Sequence, residues 1–220
     1  MVFGGLGGSD GKRRAVTAVV IPIKAFDTAK GRLAGRLDPP ARAALARSMA
    51  ETVVKAAHPL RVWIVCDNDG VATWAREQRA DVVWPTEPGL DAAVTAGVEA
   101  AVGAGAERVI VAHADLPRAT TLAWVADFDG VTIVPDRRGD GTNVMALPAG
   151  STFRFAYGPG SARRHHQRAL DAGLAVRVAP DADLGWDVDT PADLPGVDSH
   201  AGGPTPIDPI TDPARDRSPS

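Results

Sequence analysis

Lysine is scarce in this chain, with four against twenty arginines, yet two of the four fall in one short polar stretch. Ile23-Lys24-Ala25-Phe26-Asp27-Thr28-Ala29-Lys30-Gly31-Arg32-Leu33 carries Lys24, Lys30 and Arg32. A compact ammonium and a forked guanidinium suit phosphate oxygens, although an exposed basic loop has the same composition. Further on, Ala112-His113-Ala114-Asp115-Leu116-Pro117 offers a carboxylate stiffened by a following proline. Magnesium takes one or two carboxylates plus phosphates and waters; Asp115 as an ordinary helix N-cap is an equal alternative. Pro135-Asp136-Arg137-Arg138-Gly139-Asp140-Gly141-Thr142-Asn143 is a polar loop whose N–H groups and Thr142 hydroxyl could hold an anion, or a plain Asp-Gly turn. Gly158-Pro159-Gly160-Ser161 opens a helix whose first turn holds Arg163 and Arg164, where the dipole disfavours cations. That placement makes sense if an anion binds at this N-terminus. Asp187-Val188-Asp189-Thr190-Pro191-Ala192-Asp193 presents two alternating carboxylates, of which one is expected to face a given site, and then a capped helix start.

These segments need a scaffold, and the apolar pattern supplies one. Strands are expected at 16–23, 61–66, 81–84, 108–112, 131–134, 144–147 and 175–178. Helices are expected from the Asp38-Pro39-Pro40 cap onward, at 71–79, at 90–102, after Pro117 and at 161–172. Strands alternating with helices build βαβ units and a largely parallel sheet covered on both faces. Ligands then sit beyond the carboxyl ends of the strands, where the polar stretches fall.

Composition narrows the classes. A net charge of -3 disfavours a general nucleic-acid binder, and no run of about 18 apolar residues suggests a membrane span. One cysteine, Cys66, forms no internal disulfide and reads as a small buried hydrophobe. A cytoplasmic protein is the expectation. No Walker loop, dinucleotide glycine fingerprint, or Ser-His-Asp or Cys-His signature is present. His165 and His166 read as a solvated helix face. Residues 1–14 and 195–220, rich in Gly, Pro, Asp and Ser, are expected to be disordered tails around a 15–194 domain. A homodimer is the commonest arrangement among soluble oligomers.

Taken in order, I-P-x-K and A-K-x-R-L, E-P-G-L-x-A-A, A-D-L-P, D-G-T-N, G-x-x-S-A-R-x-H and D-x-D-T-P-x-D-L resemble the CofC/FbiD guanylyltransferases of coenzyme F420 biosynthesis. The resemblance runs from about Val20 to Leu194. It implies an α/β, Rossmann-like three-layer sandwich of the MobA-like, glycosyltransferase-A nucleotidyltransferase type. It implies transfer of GMP from GTP to a phosphorylated three-carbon acid, with pyrophosphate released and Mg2+ as cofactor. Carried over by motif, Lys24, Lys30 and Arg32 fall on the triphosphate segment and Pro88, Gly89 and Leu90 on a guanine-nucleotide loop. Asp91 stands where family sequences often have Asn. Asp115 falls on one metal-binding aspartate, and Asp187 or Asp189 on the second. Thr142, Gly158 and Ser161 fall on the acceptor pocket. Other nucleotidyltransferases of this fold open with a G-G-x-S-x-R-M loop, absent here; a non-catalytic nucleotide-binding module is the more distant rival. The family divides between phosphoenolpyruvate and 2-phospho-L-lactate, with 3-phosphoglycerate a rarer third. The 39 alanines and twenty arginines suggest a high-GC actinobacterium, whose branch of the family is associated with phosphoenolpyruvate.

Overall fold

The computed structural model describes residues 15–194; the two terminal segments expected to be tails lie outside the described residues. Seven strands form one sheet: β1 (Thr17–Pro22), β2 (Arg61–Val65), β3 (Asp81–Val83), β4 (Arg108–Ala112), β5 (Val131–Pro135), β6 (Thr142–Pro148) and β7 (Val176–Val178). Their order is β3-β2-β1-β4-β6-β5-β7. Four α-helices accompany them: α1 (Pro39–Ala57), α2 (Asp69–Glu77), α3 (Leu90–Gly103) and α4 (Ser161–Asp171).

Period-2 alternation along the strands divides the core into two layers. Val19, Ile21, Ile64 and Ile110 pack with α1 and α2 on one face. Ala18, Val20, Val65 and Val111 pack with α3 and α4 on the other. Close approach of α3 depends on Gly97, where an added Cβ would lie 2.5 Å from Val20 and 2.6 Å from Val65. The Asp38 cap forms as expected, its carboxylate accepting the Ala41 N–H at 2.8 Å.

Two expectations are corrected. The sheet is mixed, because β6 runs antiparallel to both β4 and β5. Only residues 136–141 separate β5 from β6, far too few for a parallel crossover, so the connection has to be a hairpin. After Pro117 there is no α-helix but a 3-10 turn at Ala123–Ala126; Leu122 and Val125 are fully buried and dock it on the sheet.

A small third cluster fixes the geometry of the site. Leu33, Met49 and Val188 are buried together, with Leu37, Leu45, Trp186 and Leu194 against them. It joins the loop after β1 and α1 to the segment after β7, which is distant from both in sequence.

Candidate functional site

β1 and β4 are adjacent parallel strands, so the loops after them meet above the same edge of the sheet. Between them lies a cavity of about 450 Å³, within the size range of small-molecule sites. Lys24, Lys30, Arg32, Asp115 and Asp189 give it charge, while Ile23, Phe26, Met49 and Leu90 give it apolar walls.

Lys30 is the centre of the charge pattern. Its Nζ donates to Asp115 Oδ2 at 2.6 Å and to Asp189 Oδ1 at 3.2 Å. Arg32 approaches the other Asp189 oxygen at 3.6 Å. Burial alone would lower the Lys30 ammonium's pKa, but the Asp115 and Asp189 carboxylates outweigh it and raise it. For Asp115, burial pushes upward, and the charge and hydrogen bond of Lys30 with help from His113 hold it below the usual carboxylate range. Asp187 goes the other way: burial, and then the Asp115 carboxylate beside it, raise its pKa. Lys30 itself sits in the left-handed region (φ 56°, ψ 39°), an unusual conformation for a side chain with a Cβ and one concentrated at functional sites.

Of the two alternating carboxylates only Asp189 lies in the cavity lining, as expected; Asp187 is beside it, close enough to Asp115 and Asp189 to feel their charge. In extended chain, residues i and i+2 share a face; here Val188 between them is buried in the small cluster. Val188 N–H also bonds to Asp115 O at 3.3 Å, tying the two aspartate-bearing segments together. Asp193, only 2% exposed, holds this arrangement. Its Oδ2 accepts the N–H groups of Asp189 (2.9 Å) and Thr190 (2.6 Å), and its Oδ1 pairs with Arg137. Arg137 and Arg118 both lie over the Trp186 ring, at 4.3 and 3.8 Å from its centroid.

Pro88 and Gly89 lead into α3, Gly89 in a positive-φ conformation (+104°) as its N-cap, and Leu90 reaches the cavity wall. Asp91 turns elsewhere: its Oδ1 accepts the Tyr157 N–H at 2.8 Å.

Thr142, Gly158 and Ser161 are not in the lining of this cavity. Thr142 and Ser161 are each about 1% exposed. Several backbone N–H groups around them already have acceptors within the chain. Asp136 takes the N–H groups of Arg138, Asp140 and Gly141 at 3.0, 2.9 and 2.9 Å. Asp140 takes those of Gly160, through its carboxylate, and Ala162, through its carbonyl. Arg164 is spent on the carbonyls of Ala156, Tyr157 and Pro159.

His165 is a core residue, not part of a solvated face. It is fully buried, and its Nε2 accepts the Ala156 N–H at 2.9 Å. The proton therefore sits on Nδ1 and is donated to Thr142 Oγ1, 3.0 Å away. Burial lowers its pKa to about 4, consistent with a neutral ring. Thr142, having accepted that bond, keeps its own hydroxyl proton to donate.

His113 was missed by the sequence reading as a site residue. It lines the cavity two residues before Asp115, its Nε2 is buried without a partner, and its ring lies 5.3 Å from Tyr157. The i, i+2 spacing Ala112-His113-Ala114-Asp115 was the available signal.

No helix among the described residues is long and apolar enough to cross a membrane. Residues 17–205 match the family described as "Guanylyl transferase CofC like". A phosphoenolpyruvate guanylyltransferase of Sphaerobacter thermophilus is 33% identical over 194 residues, covering 84% of this chain and 94% of that one. A 2-phospho-L-lactate guanylyltransferase of Natrialba magadii is 34% identical over 210 residues, covering 83% of each. Among solved structures, one from Desulfovibrio desulfuricans, assigned as a nucleotide-diphospho-sugar transferase, superposes with TM-score 0.63 at 17% identity. It covers 80% of this chain and 84% of that one, a likeness of fold.

Proposed function

We propose a reaction for this chain on one premise: it belongs to the family of CofC-like guanylyl transferases. The chain transfers GMP from GTP to phosphoenolpyruvate, releasing pyrophosphate and forming enolpyruvyl-diphospho-5'-guanosine for coenzyme F420 biosynthesis. The observation that carries this reading is the Lys30–Asp115–Asp189 cluster in the lining of a cavity shared with Lys24, Arg32 and Leu90. The acceptor's phosphate is ionised near neutral pH, so its oxygen attacks the α-phosphorus without a strong general base. Positioning and charge stabilisation supply the rate.

Magnesium fits the residues. Asp115 Oδ1 is buried without a partner, and Asp187 carries a carboxylate crowded by Asp115 and Asp189. No group of three or more His, Cys, Asp or Glu among the described residues forms a cage of its own. That suits an ion which takes few carboxylates and completes its shell with phosphates and water. Asp115 with either Asp187 or Asp189 would hold it, and it would supply charge neutralisation for the transferring phosphoryl group. Lys24, Lys30 and Arg32 bind the triphosphate oxygens. Pro88, Gly89 and Leu90 border the base. With Asp91 engaged by Tyr157 and the Gly89 carbonyl used inside α3, a backbone carbonyl ahead of Gly89 receives the guanine amine. Thr142, through its free hydroxyl proton, together with Gly158 and Ser161, holds the acid. A cytoplasmic setting suits a chain whose single cysteine is a buried free thiol.

The acceptor is tested by pyrophosphate release from GTP and Mg2+ with phosphoenolpyruvate, 2-phospho-L-lactate and 3-phosphoglycerate in turn. Phosphoenolpyruvate should turn over fastest. Faster turnover with phospholactate overturns the acceptor and leaves guanylyl transfer standing.

A further inference from the structure

The cavity holds its own cation. Lys30 Nζ makes contacts of 2.6 and 3.2 Å with one oxygen each of Asp115 and Asp189, and only 11% of the Lys30 side chain is exposed. A magnesium ion bound by the same oxygens would sit at about 2.0–2.1 Å from each. An ammonium already hydrogen-bonded to them occupies that position, so the two cations exclude each other. We propose that Lys30 is the resident counter-ion of the nucleotide-free cavity and yields Asp115 and Asp189 to a divalent metal only when a nucleotide triphosphate receives its ammonium. This rests on the nucleotidyl-transfer reading of the site and deepens it.

Three features support an exchange rather than a permanent pair. Lys30 satisfies one oxygen of Asp115 and leaves Oδ1 buried without a partner, so the carboxylate is incompletely served by the lysine alone. The turn that carries the lysine is open on its next residue: a Cβ built on Gly31 meets nothing within 4 Å. Arg32, the other cation near Asp189, is 77% exposed and 3.6 Å away, too loosely held to take over the role. Withdrawing Lys30 with nothing in its place would leave the Asp115 and Asp189 carboxylates facing one another across a partly buried space. Withdrawal therefore needs a cation to replace it and an anion to receive it. Metal and nucleotide must load together, and each increases affinity for the other by the same factor.

The test is Mn2+ binding to the full chain, followed by the electron paramagnetic resonance signal of the free ion, with and without GTP. In the absence of nucleotide, Lys30→Met should bind Mn2+ about tenfold more tightly than the wild type, within the usual range of coupling between sites. GTP should tighten Mn2+ binding strongly in the wild type and hardly at all in Lys30→Met. Arg32→Gln removes one neighbouring positive charge without vacating the position, and should change Mn2+ affinity less than about threefold. Lys30→Gln, which keeps a polar head, should behave as Lys30→Met does and serves if the methionine variant fails to fold. Equal Mn2+ affinity in the wild type and both Lys30 variants overturns the exchange while leaving guanylyl transfer intact. So does a rise in Arg32→Gln as large as that in the Lys30 variants. Absence of Mn2+ binding in every protein, even with GTP present, overturns the metal reading and this inference with it.

Discussion

The segment after β1 and the segment between β5 and β6 leave the same end of the sheet, and both are polar, charged and glycine-containing. They settle their charges differently. In the β5–β6 connection the hub is local, Asp136 bonding N–H groups two, four and five residues ahead, while Arg137 and Asp140 reach out to Asp193 and Gly160. In the segment after β1 the partners are remote: Lys30 meets carboxylates 85 and 159 residues away. A loop that satisfies itself locally is a rigid frame with little left for a ligand. A loop whose charges are satisfied only by other segments can exchange them, because a ligand can replace any one segment's contribution. Availability of a polar loop thus depends on where its partners lie in sequence, more than on its composition.

Variants should separate the two regions by what they damage. The largest effect is expected at the remote pairing. Asp115→Asn should lower turnover by roughly 10²–10³, as loss of a main electrostatic group in an active site does, with a modest change in unfolding temperature. Turnover within threefold of wild type would remove Asp115 from the chemistry.

The local frame should respond in stability, first through pH. His165 titrates near 6.5 when unfolded and at about 4 when folded, so the unfolded state binds the extra proton between those values. Stability should therefore fall as pH drops from about 6.5 to 4 and flatten below. The loss attributable to this ring is about 3 kcal/mol. Urea unfolding across that window should show it, and His165→Gln, which keeps an acceptor but does not titrate, should lose most of the slope. An unchanged slope would place the acid sensitivity elsewhere. Lys30 and Asp115 act in a different window: the Asp115 pKa is depressed, so its contribution is lost only as pH falls through the folded value, below the usual carboxylate range.

Next in size is Asp136→Ala. Removing the acceptor of three N–H groups should cost about 1–3 kcal/mol of stability and raise the KM for the acceptor acid more than that for GTP. A protein of wild-type stability would mean that these N–H groups find other partners readily.

Most of the architecture was legible before the structure because strands and helices declare themselves locally. The apolar run 108–112 and the Asp38-Pro39-Pro40 cap needed nothing but neighbours. What escaped depended on the third dimension. The helix expected after Pro117 gave way because Leu122 and Val125 are captured by the sheet before a regular helix can form. The parallel reading of β6 overlooked how short residues 136–141 are. His165 lies on one stripe with Ala162 and Ala169, all buried, a helical spacing that is present in the sequence. Lys30, Asp115 and Asp189 were each legible by type and position, whereas their meeting at a single ammonium depends on the Leu33–Met49–Val188 cluster.

The smallest effect sharpens the same contrast. Asp91→Ala removes a single contact, the one to the Tyr157 N–H, and should cost about 1 kcal/mol while leaving the preference for GTP over ATP unchanged. A collapse of that preference would return base recognition to the Asp91 carboxylate.

The central claim, that the Lys30–Asp115–Asp189 cavity performs guanylyl transfer, is tested most directly by mass analysis of the products. Protein, GTP, Mg2+ and phosphoenolpyruvate are incubated together, with Asp115→Asn in parallel. The wild type should yield enolpyruvyl-diphospho-5'-guanosine and one pyrophosphate per GTP consumed, and the variant almost none. Unchanged GTP in the wild-type reaction with all three candidate acids, or equal product from the Asp115 variant, would contradict the account.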